Sequence, residues 1–251
     1  MEKSNKKVNA AIVIIGNEIL SGRTQDLNVS FLAKWLNEFG IRVEEVRIIE
    51  DREDDIVNCI KEIRNKYKYI FTTGGIGPTH DDITSQSIAK AFNLKYDYHK
   101  EAYDILEKYY QPGEFSEGRK KMAKIPEKAS LIYNPSSGAP GFFVKNVYCL
   151  PGVPSILKAM VGGLKNKIAG GDKIISKTIS VSAVESEIAK SLEKVQSQFK
   201  NIEIGSYPFF RSGKIGVSIV IRSTKNNEIN ECLKKILDFL SDKKIQIINR
   251  E

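Results

Sequence analysis

The stretch "IFTTGGIGPTHDDIT", Ile70 to Thr84, runs an apolar segment into paired glycines, a Gly-Pro step, a histidine, two adjacent aspartates and two threonines. Extended back to "YKYIFTT", its first half has the short, apolar make-up of a buried strand, and its second half reads as a turn opening a helix. Gly74, Gly75 and Gly77 carry no side chain to hold a ligand away, so their N–H groups can approach phosphate oxygens. The loop is not a P-loop, because no Gly-Lys-Ser/Thr follows. It is not a dinucleotide fingerprint either, because His80 stands where the last glycine belongs. What remains is a strand, a glycine turn and a helix start near Asp82 whose free N–H groups and positive dipole end suit a phosphate.

Outward from this loop, strand and helix alternate. "AAIVIIG" (Ala10–Gly16) is a β-branched apolar run closed by glycine, the signature of a buried parallel strand. "NVSFLAKWLNEFG" places Val29, Leu32, Ala33, Leu36 and Phe39 at helical spacing before Gly40. "IRVEEVRII" predicts a second strand, and "EDDIVNCIKEIRNKY", "TSQSIAKAF" and "HKEAYDILEKYY" predict helices. Between Gln111 and Glu127 the pattern loosens, with a short helix in "RKKMAKI"; "SLIYNP", "GFFVKNVYCL" and "PSILKAMVGGLKNKI" complete a layered α/β domain. In such sheets ligand loops sit at the carboxyl ends of strands, where Gly16, Gly74 and Pro151 fall.

The small-residue joint "AGGD" (Ala169–Asp172) separates residues 1–169 from residues 170–251. Beyond it come strand "KIISKTISVS", helix "AVESEIAKSLEKVQSQF", strands "IEIGSYPFF" and "KIGVSIVIRS", helix "NEINECLKKILDFL" and strand "KKIQII". This β-α-β-β-α-β order predicts a small ferredoxin-like α+β domain. Within it "GSYPFF" is read either as core or as an aromatic platform for a base.

The chain has 251 residues, 41% of them hydrophobic, enough to fill sizeable cores. Cys59, Cys149 and Cys232 show no CxxC or zinc-finger spacing, which argues against a disulfide framework and for a reducing compartment. The N-terminal apolar run is short and lacks a small-residue cleavage site, and no stretch approaches the ~20 apolar residues of a bilayer span. A cytoplasmic protein without membrane association is expected. The net charge of +8 is spread among interleaved acids. That pattern reads as a solvated surface with a modest preference for anionic small molecules, and makes nucleic acid the weakest partner class.

Asp81 and Asp82 together are hard to explain by capping, since paired carboxylates at an anion-binding helix start repel each other and the anion. A divalent cation shared between acid and phosphate removes the conflict. The plain alternative makes Asp82 and Thr84 helix caps. Thr73 and Thr79 flank the glycines. "GNEILSGRTQDLN" (Gly16–Asn28) sets Glu18, Ser21, Arg23, Asp26 and Asn28 on the same sheet edge; alternatively it is ordinary wiring with Asp26 or Asn28 as N-cap. In "NPSSGAPGF" and "LPGVPSI", Pro140-Gly141 and Pro151-Gly152 are read as turns bracketing one strand, with Ser155 starting the next helix. Asp51, after the second strand, is a cap or a metal ligand. His80 and His99 have no metal-site spacing. No serine or cysteine sits in a nucleophile elbow, so covalent catalysis is unsupported.

With "GNEILSG" and "DLN", "TTGGIGPTHDDIT", "NPSSGAPGF" and "LPGVPS" in that order, the chain resembles the CinA N-terminal (competence/damage-inducible protein A-like) family within the MoaB/Mog molybdopterin-binding group, over roughly Val8 to Lys167. The rest resembles the small α/β domain that follows in CinA-type proteins. The resemblance implies a three-layer α/β/α domain with a mostly parallel sheet, a pterin or nucleotide pocket at the glycine loop, and a homo-oligomer, dimer or trimer. It gives Asp51 and Asp82 chemical roles and Gly74, Gly75 and Gly77 the phosphate. It also implies metal-dependent hydrolysis of ADP-ribose-like pyrophosphates. The sequence ends before the nicotinamide-mononucleotide deamidase domain of longer members, so that activity is expected to be absent. Ile76 replaces the threonine of the relatives' Gly-Gly-Thr-Gly, which argues against molybdopterin adenylylation and leaves the phosphate cradle intact.

The resulting expectation is a pyrophosphatase for ADP-ribose or a similar nucleoside diphosphate compound, with a divalent ion (Mg, Mn or Co). Asp82, Asp81 and Asp51 serve as catalytic and metal residues. Gly16, Glu18, Asn28, Thr73, Gly74, Gly75, Gly77, Thr79, Ser137, Pro151 and Gly152 form the binding set. Asn28 and Ser137 are assigned to ribose or pterin groups. The alternatives are a non-catalytic molybdopterin- or nucleotide-binding module and, less favoured, a nucleic-acid-binding protein with steep salt dependence.

Overall fold

A computed structural model describes residues 7–211 and 213–250. The chain divides into two units, Met1–Asp172 and Lys173–Glu251.

The first unit runs β1 (Val8–Ile15), α1 (Asn17–Leu20), α2 (Asn28–Glu38), β2 (Ile41–Ile49), α3 (Glu53–Ile63), β3 (Tyr69–Thr73), α4 (Thr84–Ala91), β4 (Tyr96–Tyr98), α5 (Lys100–Tyr109), α6 (Glu117–Lys121), β5 (Lys124–Pro126), β6 (Ser130–Ile132), β7 (Gly141–Val144), β8 (Val147–Leu150) and α7 (Pro154–Val161). Its main sheet has the order β2-β1-β3-β8-β7-β6. The first four strands are parallel, and β7 pairs antiparallel with both β8 and β6. β1 is apolar on both faces because both are covered, and its side chains alternate between two cores. Ala11, Val13 and Ile15 pack with Ile56, Ile60, Ile88 and Leu106, on the side of α3, α4 and α5. Ala10, Ile12 and Ile14 pack with Leu32, Leu36, Leu157 and Met160, on the side of α2 and α7. Helices on both faces of a mostly parallel sheet make the three layers.

Some local structure departs from the sequence reading. "GFFVKNVYCL" is a hairpin of β7 and β8 rather than one strand, turning at Lys145-Asn146 with Lys145 at φ 54. The two Pro-Gly turns therefore bracket a hairpin. Asn146 holds the turn against the third-strand approach, its Nδ2 donating to the carbonyls of Arg64 and Tyr67, both at 2.9 Å. "RKKMAKI" splits between the end of α6 and β5, which pairs with β4 in a two-stranded ribbon.

The second unit runs β9 (Ile175–Ser182), α8 (Glu185–Gln196), β10 (Glu203–Arg211), β11 (Lys214–Ser223), α9 (Asn226–Asp242) and β12 (Gln246–Arg250). Its sheet has the order β10-β11-β9-β12, with every pairing antiparallel. Ile179, Val181, Val217, Ile219 and Ile221 pack on Ile188, Leu192, Ile229, Cys232 and Ile236 from the two helices. Within "GSYPFF", Tyr207 and Phe210 are exposed, so that end of β10 is not core. Among the described residues no helix is long and apolar enough to cross a membrane.

Candidate functional site

β1, β3 and β8 end side by side, which brings three loops to one edge of the sheet. Gly16 N–H closes onto the Ile49 carbonyl at 3.2 Å and Gly74 N–H onto the Leu150 carbonyl at 3.0 Å. The Gly74 and Gly75 backbone is left-handed, at φ 101 and 67. A Cβ at Gly74 would lie 2.1 Å from the Ile15 carbonyl oxygen, and one at Gly75 would lie 2.2 Å from Thr84 Oγ1, so neither position admits a side chain. Gly152 also approaches Gly74, whose Cα would lie 3.5 Å from a Cβ built at Gly152. Thr84 fastens the loop to α4: its Oγ1 donates to the Gly74 carbonyl and its N–H to the Gly75 carbonyl, both at 2.9 Å. The N–H groups of Gly75, Ile76 and Gly77 make no hydrogen bond among the described residues.

Over this main-chain floor lies a cavity of about 730 Å³. Four carboxylate residues line it, Glu18, Asp51, Asp81 and Asp82, and among the described residues its lining includes no lysine or arginine. Asp51 Oδ2 accepts from Asn17 N–H at 2.9 Å, at the start of α1. Burial pushes the Asp51 carboxyl above the usual carboxylate range; the Asn17 N–H opposes this, and the charges of Glu18, Asp81 and Asp82 add to it. Asp82 accepts from Thr79 N–H at 2.7 Å and from the Thr79 hydroxyl. Its carboxylate fills the space beside Gly77, where a Cβ would lie 2.7 Å from Oδ2. Lys121 Nζ donates to the Thr79 carbonyl at 2.6 Å, bracing the same turn.

The capping alternatives resolve differently from the sequence reading. The residue preceding α4 is Ile83, and neither Asp82 nor Thr84 caps that helix; Asp82 holds the turn at Thr79, and Thr84 holds the glycine loop. In α2 it is Asp26 that accepts from Val29 N–H, at 2.9 Å, while Asn28 Nδ2 donates to the Gly152 carbonyl at 2.8 Å. α7 opens at Pro154 rather than Ser155, using a residue whose missing N–H costs nothing at a helix start.

Of the binding set, Glu18, Gly74, Gly75, Gly77, Ser137, Pro151 and Gly152 line the large cavity. Asn28 and Thr73 line a separate cavity of about 50 Å³, shared with Glu18, Thr24 and Gly152. Both are buried, and among the described residues Asn28 Oδ1 and Thr73 Oγ1 have no partner, which suits a small polar guest such as water. Gly16 and Thr79 line neither cavity. Tyr109, Tyr110 and Met122 were not anticipated; the only sequence signal was a tyrosine pair lying past the last buried residue of α5, Leu106.

Among the described residues no three His, Cys, Asp or Glu side chains are grouped to hold a metal ion. The donors therefore do not form a complete protein cage. They fit a magnesium-like site of one or two carboxylates completed by ligand phosphates.

Residues 11–169 match the family described as a probable molybdopterin binding domain. The chain belongs to that family. Residues 173–248 match the FAD synthase middle domain. A protein of Archaeoglobus fulgidus is 31% identical over 234 residues, covering 93% of this chain and 98% of that one. The probable FAD synthase of Caenorhabditis elegans is 26% identical over 262 residues, covering 94% of this chain and 50% of the worm protein. Among solved structures, the protein CinA of Thermoplasma acidophilum, described as of unknown function, superposes with a TM-score of 0.61 at 32% identity, covering 64% of this chain and 98% of that one. In this probable molybdopterin binding domain the glycine loop, the Asp51 turn and the Pro151-Gly152 turn all lie within the matched residues.

Proposed function

We propose that the first unit binds a nucleoside diphosphate compound such as ADP-ribose and hydrolyses its pyrophosphate with the help of a divalent ion. One observation carries this reading: main-chain N–H groups at Gly75, Ile76 and Gly77, without a hydrogen-bond partner among the described residues, floor a cavity whose described lining holds four carboxylates and no basic side chain. The N–H groups suit an anion and the acids oppose one. A divalent cation delivered with the ligand reconciles the two.

Asp82 and Asp81 would hold that ion together with phosphate oxygens. When bound it supplies Lewis acidity at phosphorus and lowers the pKa of a water. The Gly75–Gly77 N–H groups take non-bridging oxygens. Asp51, whose proton affinity is raised, accepts the proton as a water oxygen bonds to phosphorus and the bridging P–O bond breaks. From ADP-ribose the products are AMP and ribose 5-phosphate. Ser137 Oγ already accepts from Asn134 Nδ2 at 2.7 Å, which leaves its proton to donate to a sugar or ring. A dimer or trimer in the cytoplasm accompanies this reading.

The relative called a probable FAD synthase adds FAD to the compounds worth testing, since it is also a nucleoside diphosphate compound. The test is incubation with ADP-ribose or FAD and each of Mg, Mn and Co, following AMP release. Ion-dependent AMP is expected. Tight binding with no AMP under any ion would overturn the hydrolase and leave a non-catalytic module, a second reading that the family match favours with molybdopterin as ligand.

A further inference from the structure

The large cavity has an aromatic wall that the hydrolysis scheme does not use. Tyr109, the last residue of α5, lines the cavity and is 51% exposed, and its hydroxyl makes no hydrogen bond among the described residues. Its ring rests on Gly138, whose backbone is left-handed at φ 73 and whose Cβ, if present, would lie 2.6 Å from two ring carbons. Only glycine lets the ring sit there. Tyr110 packs its ring edge-on to Tyr109 at 5.1 Å and is held in turn by the Arg119 guanidinium 4.1 Å above it and by Phe115 stacked at 6.1 Å. Tyr109 is thus a rigid ring braced from behind and beside, with apolar Met122 and Val153 lining the same space.

A half-exposed aromatic ring held this firmly in a cavity is costly as mere surface and useful as a platform. Fixed rings bind planar partners with little conformational entropy to lose. The cavity, at about 730 Å³, is large enough for a nucleotide.

We propose that the free face of Tyr109 stacks against the planar heterocycle of the bound compound and so makes the site select nucleotides over bare diphosphates. The inference rests on the diphosphate reading above and names the part of the ligand that reading leaves unplaced. The ring is the sequence-tolerant contact and Ser137, next to Gly138, offers the polar one.

The experiment measures dissociation constants for ADP and for inorganic pyrophosphate, each with Mg²⁺, by calorimetry on the full chain and on Tyr109→Leu and Tyr109→Phe. Stacking predicts that Tyr109→Leu weakens ADP by about 10-fold or more and shifts pyrophosphate by less than about twofold, while Tyr109→Phe stays near the parent on both. Should Tyr109→Leu melt below the assay temperature, Tyr109→Met, long enough to cover Gly138, replaces it with the same expectation. Unchanged ADP binding in Tyr109→Leu, or an equal loss for both ligands, overturns the platform. A parent protein that binds pyrophosphate as tightly as ADP also overturns it and leaves the diphosphate reading standing. One that binds neither ligand overturns both.

Discussion

At Gly77 the main chain and the Asp82 carboxylate meet across a gap that one methyl group would fill. A Cβ there meets only the end of a side chain, so Gly77→Ala should leave the fold within about 1 kcal/mol of the parent while pushing Asp82 aside. Ion-dependent turnover is expected to fall about 10-fold or more, and a melting curve beside the kinetics checks both halves. Asp82→Asn keeps the shape and the bond from Thr79 and removes the charge; turnover is expected to drop ~100-fold. Unchanged turnover with reduced stability would make Asp82 only a turn-former. Asp51 points the other way. Its folded pKa is raised above 3.8 by burial, so its ionisation costs stability as pH rises from that value through the raised one, and the cost is complete above it. Asp51→Asn should therefore stabilise the ligand-free protein above the raised pKa while impairing turnover. A chemical melt at pH 7 against one near pH 3 tests the sign. The acids and glycines could be read from the sequence because they follow directly on strand ends. Tyr109 and Met122 could not, because they reach the cavity from the α5–β5 stretch, remote from the glycine loop in sequence.

At the scale of elements, the strand–helix alternation was readable wherever a β-branched run or a 3.6-residue period was unbroken, as in β1 and α2. The β7–β8 hairpin was hidden for a physical reason. Both strands are buried on both faces, so no alternation marks them, and the turn is Lys145-Asn146 instead of a glycine pair. Much of its anchorage comes from the Asn146 amide, which serves two partly buried carbonyls at once. Asn146→Ala is expected to cost about 1–3 kcal/mol, read as a lower urea midpoint with an unchanged slope. The capping alternative fails for a local reason: Asp82 and Thr84 have side chains suited to a helix start, but Asp82 turns back to accept from Thr79 N–H and Thr84 Oγ1 donates to the Gly74 carbonyl.

Across the whole molecule, each unit carries its own core, and the thiols are distributed between them. Cys59 and Cys149 belong to the first and Cys232 to the second; all three are buried. Burial pushes the Cys149 thiol up to about 12 and Cys232 up to about 11, and raises Cys59 as well. Since the thiolate is the reactive form, the native protein is expected to resist an aromatic disulfide reagent at pH 8. In rising denaturant, labelling of Cys232 should follow unfolding of the second unit and labelling of the other two the first, with peptide mapping to assign them. Rapid labelling of any thiol in native buffer would contradict this. The sequence reading put the joint at "AGGD" (Ala169–Asp172), where small residues interrupt the periodic segments.

The left-handed backbone at Gly74 and Gly75, where a Cβ would lie 2.1 Å from the Ile15 carbonyl oxygen and 2.2 Å from Thr84 Oγ1, means that the bottom of the cavity there is peptide, not side chain. Anyone wishing to retarget this scaffold to another ligand would find those two positions intolerant of variation. Tyr109, Met122 and Val153 are instead the positions where a combinatorial library has room to diversify.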